Sequence, residues 1–132
     1  MELAFPWPMS NGEWLAWSSA AVTVLFGLLM FFAPRISLRI LRLQTTEAHP
    51  EAVSEARATM AGFYLGLGLC CVLLGAQPFL YMALGVSWLF TAFGRLVSML
   101  SDSGNTFYNW ISLAVEVALA ALPLAFAFGL IP

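Results

Sequence analysis

Residues 14–33 read WLAWSSAAVTVLFGLLMFFA, a mostly apolar run without a charged residue. A helix needs roughly 20 apolar residues to cross the hydrocarbon core of a bilayer, and this run has that length. Pro34 follows it and closes the run, because proline lacks the backbone N–H that would continue a helix. Residues 10–13 before it read SNGE, the Ser-x-x-Glu pattern of a capping box. We therefore predict a first membrane helix over residues 14–33.

Three further apolar runs follow. They are predicted as membrane helices over residues 58–76, 79–100 and 107–131. Residues 101–105, SDSGN, separate the last two and are typical of a turn. Hydrophobic residues make up 61% of the chain and charged residues only 9%, against about 25% charged residues in soluble domains. The sequence thus predicts an all-α, integral membrane four-helix bundle that forms one domain over residues 1–132.

The segment between the first two helices, residues 35–57, has a different pattern. If this segment is helical, one face carries the arginines Arg35, Arg39 and Arg42. Another face carries the aliphatic residues Ile36, Ile40 and Leu43. Such an amphipathic stretch typically lies on the membrane surface. Glu47 and Glu51 follow, and we interpret them as charges at the interface. The sequence predicts an amphipathic cytoplasmic loop over residues 35–57.

Arginine placement predicts the orientation in the membrane. The chain has five basic residues, all arginines, and four of them lie at or between the first two helices. Loops rich in arginine face the cytoplasm, so both termini are predicted on the non-cytoplasmic side. Trp7 and Trp14 are predicted to anchor the chain at the outer interface, among the lipid headgroups. We expect a multi-pass protein of the bacterial inner membrane.

Charged side chains also occur within or at the edge of the apolar runs. They are Arg57, Arg95 and Glu116. A charge at mid-membrane costs roughly 2.5–3.5 kcal/mol on insertion scales, so such groups usually face the bundle interior and pair. The helical rise places Arg95 about 9 Å and Glu116 about 13 Å inside the ends of their helices. We therefore predict a buried polar cluster of Arg57, Arg95 and Glu116, with Glu55 and Asp102 at its mouth.

Three roles are open to this cluster. It can fix the register and orientation of the helices, or it can form a polar pocket for a ligand, an ion or a proton. Alternatively, one of its charges reaches out to a partner protein. Arg95 and Glu116 are predicted to be mutual partners, because their estimated depths match.

Small residues in the second helix predict close helix packing. Gly62 and Gly66 have the small-xxx-small spacing that lets two helices approach closely, and Gly68 follows. We predict that these glycines pack against another helix of the same bundle.

Catalytic and metal sites are not predicted. His49 is the only histidine, and the chain has no Cys or His pair with metal-ligand spacing. It has no glycine-rich phosphate loop and no Gly-x-Ser-x-Gly elbow. Its net charge of -2 gives no support to a role with nucleic acid.

Several short motifs together resemble a known family. They are EARA at residues 55–58, GFYLGLG at residues 62–68, GRL at residues 94–96, DSG at residues 102–104 and Glu116. These motifs resemble small bacterial four-helix inner-membrane proteins of unknown function, which are distantly similar to the DoxX-like membrane proteins. The resemblance implies four helices and a charged cluster at matching positions, with no established activity. Ser103 is an insertion relative to that pattern.

These observations favour a non-catalytic accessory or structural subunit of a larger bacterial membrane complex, of photosynthetic or respiratory type. A second hypothesis is a small transporter or ligand-binding membrane protein that uses the buried Arg/Glu cluster. A third is a membrane enzyme partner acting on a lipid or quinone. No cofactor is predicted, although a lipid, a quinone or a pigment is a candidate for a bound molecule. The expected partners are membrane lipids and either other integral membrane subunits or a second copy of the chain.

Overall fold

The apolar runs form long helices in the computed structural model, which describes residues 5–44 and 48–131. The helices are α1 (Asn11–Phe32), α2 (Pro34–Ile40), α3 (Val53–Leu73), α4 (Pro78–Ser101) and α5 (Phe107–Ala127). All except the short α2 are long and apolar enough to cross a membrane. The predicted all-α class with four membrane helices is confirmed.

Local sequence signals set the starts of the helices. The Ser10 hydroxyl accepts from the Glu13 N–H at 3.2 Å, and the Glu13 carboxylate accepts from the Ser10 N–H at 3.0 Å. This capping box starts α1 three residues before the apolar run itself. Pro78 occupies the first turn of α4, where its missing N–H costs nothing. The hydroxyl of Thr106 accepts from the Asn109 N–H at 3.2 Å and caps α5.

Glycines shorten two helices relative to the apolar runs. Gly75 has a φ of 83°, and α3 ends at Leu73 although the run was predicted to continue to residue 76. Gly129 has a φ of 70°, and α5 ends at Ala127 although its run continues to residue 131. Glycine reaches this left-handed conformation without steric cost, and it commonly follows the last turn of a helix. Apolarity therefore overestimates the length of a helix wherever a glycine can turn the chain.

The predicted loop over residues 35–57 is largely helical. Pro34 starts α2, and a 3₁₀ turn over Pro50–Ala52 leads into α3 at Val53, five residues before the predicted start of the second helix. Residues 45–47, which include Glu47, lie outside the described part of the chain, as do residues 1–4, Pro132 and the side chain of Pro50.

Small side chains allow close packing of the four long helices. α1 packs against both α3 and α5, and α4 packs along α5. The main core contains small residues from α1 and α5 around larger ones from α4. The small residues include Ala16, Ala20 and Ala120, and the larger ones include Tyr81, Leu84 and Trp88. The Ser19 hydroxyl of α1 donates to the Leu119 carbonyl of α5 at 2.7 Å. Alanine and serine at such contacts are typical of membrane helix pairs, where backbones approach closely.

Only one of the three glycines that were predicted to pack lies against another helix. Gly68 is buried, and a Cβ there would lie 2.8 Å from the Val24 side chain and 3.2 Å from the Ala20 carbonyl of α1. Gly62 and Gly66 are exposed, and a Cβ at either position would have no atom of another helix within 4 Å. The spacing of small residues identifies a face that can pack, but the larger residues of the neighbouring helices decide which face does.

Leucine at two of these glycines should therefore give opposite results. Gly68→Leu should destabilise the fold by about 1–3 kcal/mol, because the larger side chain forces α1 and α3 apart. Gly66→Leu is the matched control, and it should be neutral or slightly stabilising because leucine favours a helix more than glycine does. Thermal unfolding in detergent followed by circular dichroism measures both. Equal melting temperatures for the two variants would show that α1 and α3 do not pack at Gly68.

Large apolar side chains cover the outside of the bundle. Phe63, Phe79, Phe90, Leu100 and Phe107 are each between 68% and 83% exposed. Soluble monomers rarely expose such extended apolar surface, whereas lipid tails solvate it without cost. Together with the four spanning helices, this surface makes the chain a multi-pass membrane protein in contact with lipid.

Tryptophans gather where α1 begins, at the end of the bundle away from α2. The rings of Trp7, Trp14 and Trp17 lie 5.7–6.4 Å apart, and Trp7 and Trp14 are 58% and 46% exposed. Amphipathic rings of this kind are enriched at membrane–water interfaces. The interfacial role of Trp7 and Trp14 stays a prediction.

Candidate functional site

An ion pair joins α4 to α5 near the end of the bundle that carries α2. The Arg95 Nε donates to Glu116 Oε1 at 2.6 Å, and the Arg95 Nη2 donates to Glu116 Oε2 at 3.0 Å. The side chains are 23% and 8% exposed. Two parallel N–H···O bonds between a guanidinium and a carboxylate are among the strongest hydrogen bonds in proteins, and they fix the geometry of both groups. The structure therefore brings together the two residues that the depth estimate matched.

Asn109 extends this pair towards the start of α5. The Arg95 Nη1 donates to Asn109 Oδ1 at 2.7 Å, and the Asn109 Nδ2 donates to the Gly104 carbonyl at 2.8 Å. These two contacts fix which amide atom faces the guanidinium. Asn109 did not enter the predicted cluster, but its spacing of two helical turns from Glu116 put it on the same face.

The other predicted members of the cluster lie elsewhere. The Arg57 Nε donates to the Phe31 carbonyl at 2.8 Å, and Glu55 Oε2 accepts from the Thr59 hydroxyl at 3.1 Å. Asp102 is exposed where α4 ends. Of the five residues predicted to cluster, the structure pairs only Arg95 with Glu116; Arg57 and Glu55 form hydrogen bonds to other groups.

Helix neighbours explain the position of Arg57. α3 packs along α1, so the start of α3 faces the end of α1 and not the α4–α5 pair. The last carbonyls of a helix have no partner within it, and a cation there also interacts favourably with the helix dipole. Arg57 satisfies one such carbonyl, that of Phe31.

A cavity of about 240 Å³ lies beside the ion pair and is lined by residues from all five helices. Its wall is mostly apolar and aromatic, and the residues that form it include Phe26, Met30, Tyr64, Trp88, Ser112 and the pair Arg95–Glu116. The only ionisable carboxylate and guanidinium in this wall are those of the pair. A concave apolar site with a few convergent polar groups is the usual form of a small-molecule binding site.

Aromatic rings make one wall of this cavity rigid. Trp88 stacks on Tyr64 with ring centres 5.7 Å apart and an interplanar angle of 13°, and Phe26 meets Trp88 edge-on at 6.0 Å. The Trp88 Nε1 donates to the Thr23 hydroxyl at 2.9 Å. The sequence analysis did not identify Trp88 as a site residue, although it precedes Arg95 by seven residues and so shares its helical face.

The cavity opens onto the lipid-facing surface of the bundle. Leu29, Ile40, Ile111 and Val115 line it and are each between 45% and 63% exposed. An apolar rim disfavours entry of ions from water and is compatible with entry from the bilayer. α2 borders the cavity through Ser37 and Ile40.

The free donors of Arg95 define what the site can recognise. A guanidinium has five N–H groups, and the contacts to Glu116 and Asn109 use three of them. The opposite charges of Arg95 and Glu116 offset one another, so the cavity wall has polar donors with little net charge. Such a wall can donate hydrogen bonds to a neutral acceptor oxygen within apolar surroundings.

His49 and Glu51 form a separate, exposed pair. His49 Nδ1 lies 3.0 Å from Glu51 Oε1. The pKa of the Glu51 carboxyl lies below its usual value because of hydrogen bonding to the backbone first and to His49 second. Within residues 5–44 and 48–131, no three His, Cys, Asp or Glu side chains lie together as a metal site would require.

Comparisons with known proteins identify the family. No curated protein matches the chain, and no solved structure matches it. A family model, described as "Domain of unknown function (DUF4345)", matches residues 13–127. That range includes α1 from its third residue onward, the other three long helices, the Arg95–Glu116 pair and every residue that lines the cavity. The chain therefore belongs to the DUF4345 family of unknown function.

Proposed function

We propose that this protein binds a neutral amphiphilic molecule, of quinone or acyl-lipid type, with its polar group beside Arg95 and its apolar part in the membrane. The observation that carries the proposal is the bidentate Arg95–Glu116 pair in the wall of an apolar cavity that opens to lipid. The protein acts as a ligand-binding or transporting membrane protein, and the ion pair is part of its site.

The charge balance of the wall favours a neutral ligand. An anion bound at Arg95 would be repelled by the adjacent Glu116 carboxylate. A cation bound at Glu116 would be repelled by the adjacent Arg95 guanidinium. A carbonyl oxygen avoids both conflicts and accepts from the two remaining N–H groups of Arg95. Hydrogen bonds to a charged donor contribute about 1.5–3 kcal/mol, so this contact orients the ligand.

The size of the cavity favours an amphiphile. Its volume of about 240 Å³ is just below the range of about 300–1,000 Å³ for pockets that enclose a drug-sized ligand. A head group or a short chain segment fits, and the rest of the molecule extends past Ile40 and Ile111 into the surrounding lipid. A hydrophilic solute would leave the apolar rim without a partner.

The membrane and the orientation belong to the same proposal. We infer a location in the bacterial inner membrane with both termini on the non-cytoplasmic side, because the arginines collect on and near α2. The ligand then enters from the cytoplasmic leaflet. A distant kinship with DoxX-like membrane proteins is consistent with this arrangement.

An accessory subunit of a photosynthetic or respiratory complex is the second candidate. The observation that favours it is the open face of α3 at Gly62 and Gly66, where a helix of another subunit could approach closely. An enzyme partner that acts on the same lipid or quinone is compatible with either candidate.

A cavity-filling variant tests the proposal. Ser112→Phe places a ring in the cavity, whereas Ser87→Phe places the same ring on the exposed face of α4 and serves as the matched control. A short-chain benzoquinone is the probe, and its contact with Trp88 quenches that indole's fluorescence; Trp88→Phe identifies the share of the signal that Trp88 supplies. A short-chain monoacylglycerol that competes for the site identifies the acyl-lipid alternative.

We expect the wild type and Ser87→Phe to bind one of the two probes equally well. Ser112→Phe should bind at least roughly tenfold more weakly, which corresponds to the lower end of overpacking costs. If neither probe binds the wild type, or if Ser112→Phe binds as the control does, the cavity is not a site for a neutral amphiphile.

A further inference from the structure

A second cavity lies along α2 and the turn that follows it, and it shares no lining residue with the first. Its volume is about 470 Å³, and three arginines line it: Arg35, Arg39 and Arg42. Leu38, Leu43, Gln44 and Val53 complete the wall. Among residues 5–44 and 48–131, none of the three guanidinium groups lies within ion-pairing distance of a carboxylate. The cavity therefore has a concentrated positive charge, unlike the neutral wall of the first one.

The turn that ends α2 places Arg42 in this cavity. The Leu43 N–H donates to the Leu38 carbonyl at 2.7 Å, and the Arg42 N–H donates to the Arg39 carbonyl at 3.0 Å. These two bonds form a Schellman motif, whose left-handed position is usually occupied by glycine. Arg42 occupies it here, with a φ of 60°. A residue with a side chain is strained in this conformation, so the arginine is costly for the fold.

Contacts with α5 hold the strained arginine in place. The Arg42 guanidinium lies 4.6 Å from the centre of the Tyr108 ring, and the Tyr108 hydroxyl donates to the Ile40 carbonyl at 2.9 Å. A cation over an aromatic face is stabilised by the ring quadrupole. Tyr108 thus fixes both the end of α2 and the direction of the arginine.

Apolar side chains next to the arginines place the cavity at the membrane surface. Ile36, Ile40 and Leu43 each follow one of the three arginines directly in the sequence and are 58%, 63% and 51% exposed. Aliphatic residues this exposed are solvated by acyl chains, while the adjacent guanidinium groups reach the headgroup layer. Guanidinium groups bind phosphate oxygens in a bidentate manner.

We propose that this cavity binds the phosphate of an anionic membrane lipid, with Arg35, Arg39 and Arg42 as its ligands. The exposed isoleucines contact the acyl chains of the same lipid, which is why a lipid headgroup is favoured over free phosphate. The lining of this lipid site shares no residue with that of the cavity beside Arg95. The bound lipid holds α2 on the membrane surface, and α2 is also the helix that borders the cavity beside Arg95.

Lipid retention tests the proposal on the full chain. The protein is reconstituted into vesicles of equal parts phosphatidylglycerol and phosphatidylcholine and is then extracted in mild detergent. Native mass spectrometry counts the lipids that stay bound. Arg42→Gly removes one cation and restores the usual residue of the turn, so it should fold at least as well as the wild type. R35Q/R39Q/R42Q removes all three charges, and R35K/R39K/R42K is the matched control that keeps them.

We expect the wild type to retain phosphatidylglycerol in preference to phosphatidylcholine, and to lose this preference as salt increases. The preference should fall roughly fivefold in Arg42→Gly and roughly a hundredfold in the triple glutamine variant, while the triple lysine variant keeps most of it. If the wild type shows no preference, or if Arg42→Gly and the glutamine variant retain it in full, the site does not bind an anionic lipid. If inorganic phosphate displaces the lipid at equal concentration, the ligand is free phosphate and the lipid assignment is wrong.

Discussion

Glu116→Gln and Arg95→Gln should each destabilise the protein by about 3–5 kcal/mol, because each leaves the other charge buried without its partner. The bidentate contact has N–O distances of 2.6 Å and 3.0 Å, and the Glu116 side chain is only 8% exposed. The free energy of unfolding in mixed detergent, measured by circular dichroism, gives the size of each effect.

The double variant shows whether Arg95 and Glu116 stabilise the protein through their mutual contact or independently of one another. Arg95→Gln with Glu116→Gln should cost much less than the two single changes together, because the second substitution removes the orphaned charge. Asp102→Asn is the control for loss of an acidic group at the same end of the bundle, and it should be nearly neutral because Asp102 is exposed. Additive single effects would mean that the two residues do not stabilise one another.

Trp88→Ala should destabilise the fold by a similar amount, about 3–5 kcal/mol, because it removes a large buried side chain and leaves a void that the rigid neighbours cannot fill. Trp88 is 5% exposed, stacks on Tyr64 and donates to Thr23. Trp88→Phe retains a ring and loses the hydrogen bond, so it should cost only about 1 kcal/mol plus a smaller packing loss.

Trp110→Ala supplies the comparison for a tryptophan outside the core. Trp110 is 53% exposed, so its removal creates no internal void. Unfolding midpoints measured under the same conditions rank the three variants. We expect Trp110→Ala to be the most stable, Trp88→Phe to be intermediate and Trp88→Ala to be the least stable. If Trp88→Ala unfolds at the same midpoint as Trp110→Ala, the aromatic wall does not contribute to the core.

The helices could be predicted from the sequence because crossing a bilayer requires a minimum apolar length. The four long runs meet this requirement, and the capping box before Trp14 marked the start of α1. The pairing of Arg95 with Glu116 could also be predicted, because depth follows directly from helical rise and unpaired charges are costly in lipid.

The neighbours of each helix could not be predicted in this way. Arg57 was assigned to the same cluster as Arg95 because it is a charge at the edge of an apolar run. In the structure α3 packs along α1, and Arg57 donates to the Phe31 carbonyl as a result. Gly62 and Gly66 have a favourable spacing, yet only Gly68 faces α1. Spacing within one helix defines a face, whereas side-chain volumes on several helices together decide where that face points.

The cavity beside Arg95 could not be predicted from the sequence for the same reason. It depends on the place where α2 ends, on the Tyr108 contact that holds that end, and on Trp88 in the middle of α4. No local pattern links these three features. The sequence pointed to the polar pair and to the amphipathic α2 separately, and the Tyr108 contacts between α5 and the end of α2 bring them together.

The carbonyl stretching frequency of a bound short-chain benzoquinone tests the central claim most directly. Infrared difference spectra of the protein with and without the quinone, compared with the same quinone in lipid alone, report hydrogen bonding to the carbonyl oxygen. If Arg95 donates to that oxygen, the band should shift to lower frequency in the wild type and in Ser87→Phe, and the shift should be absent in Ser112→Phe. A bound quinone whose carbonyl band is the same as in lipid would contradict the assignment of Arg95 as the group that recognises the ligand.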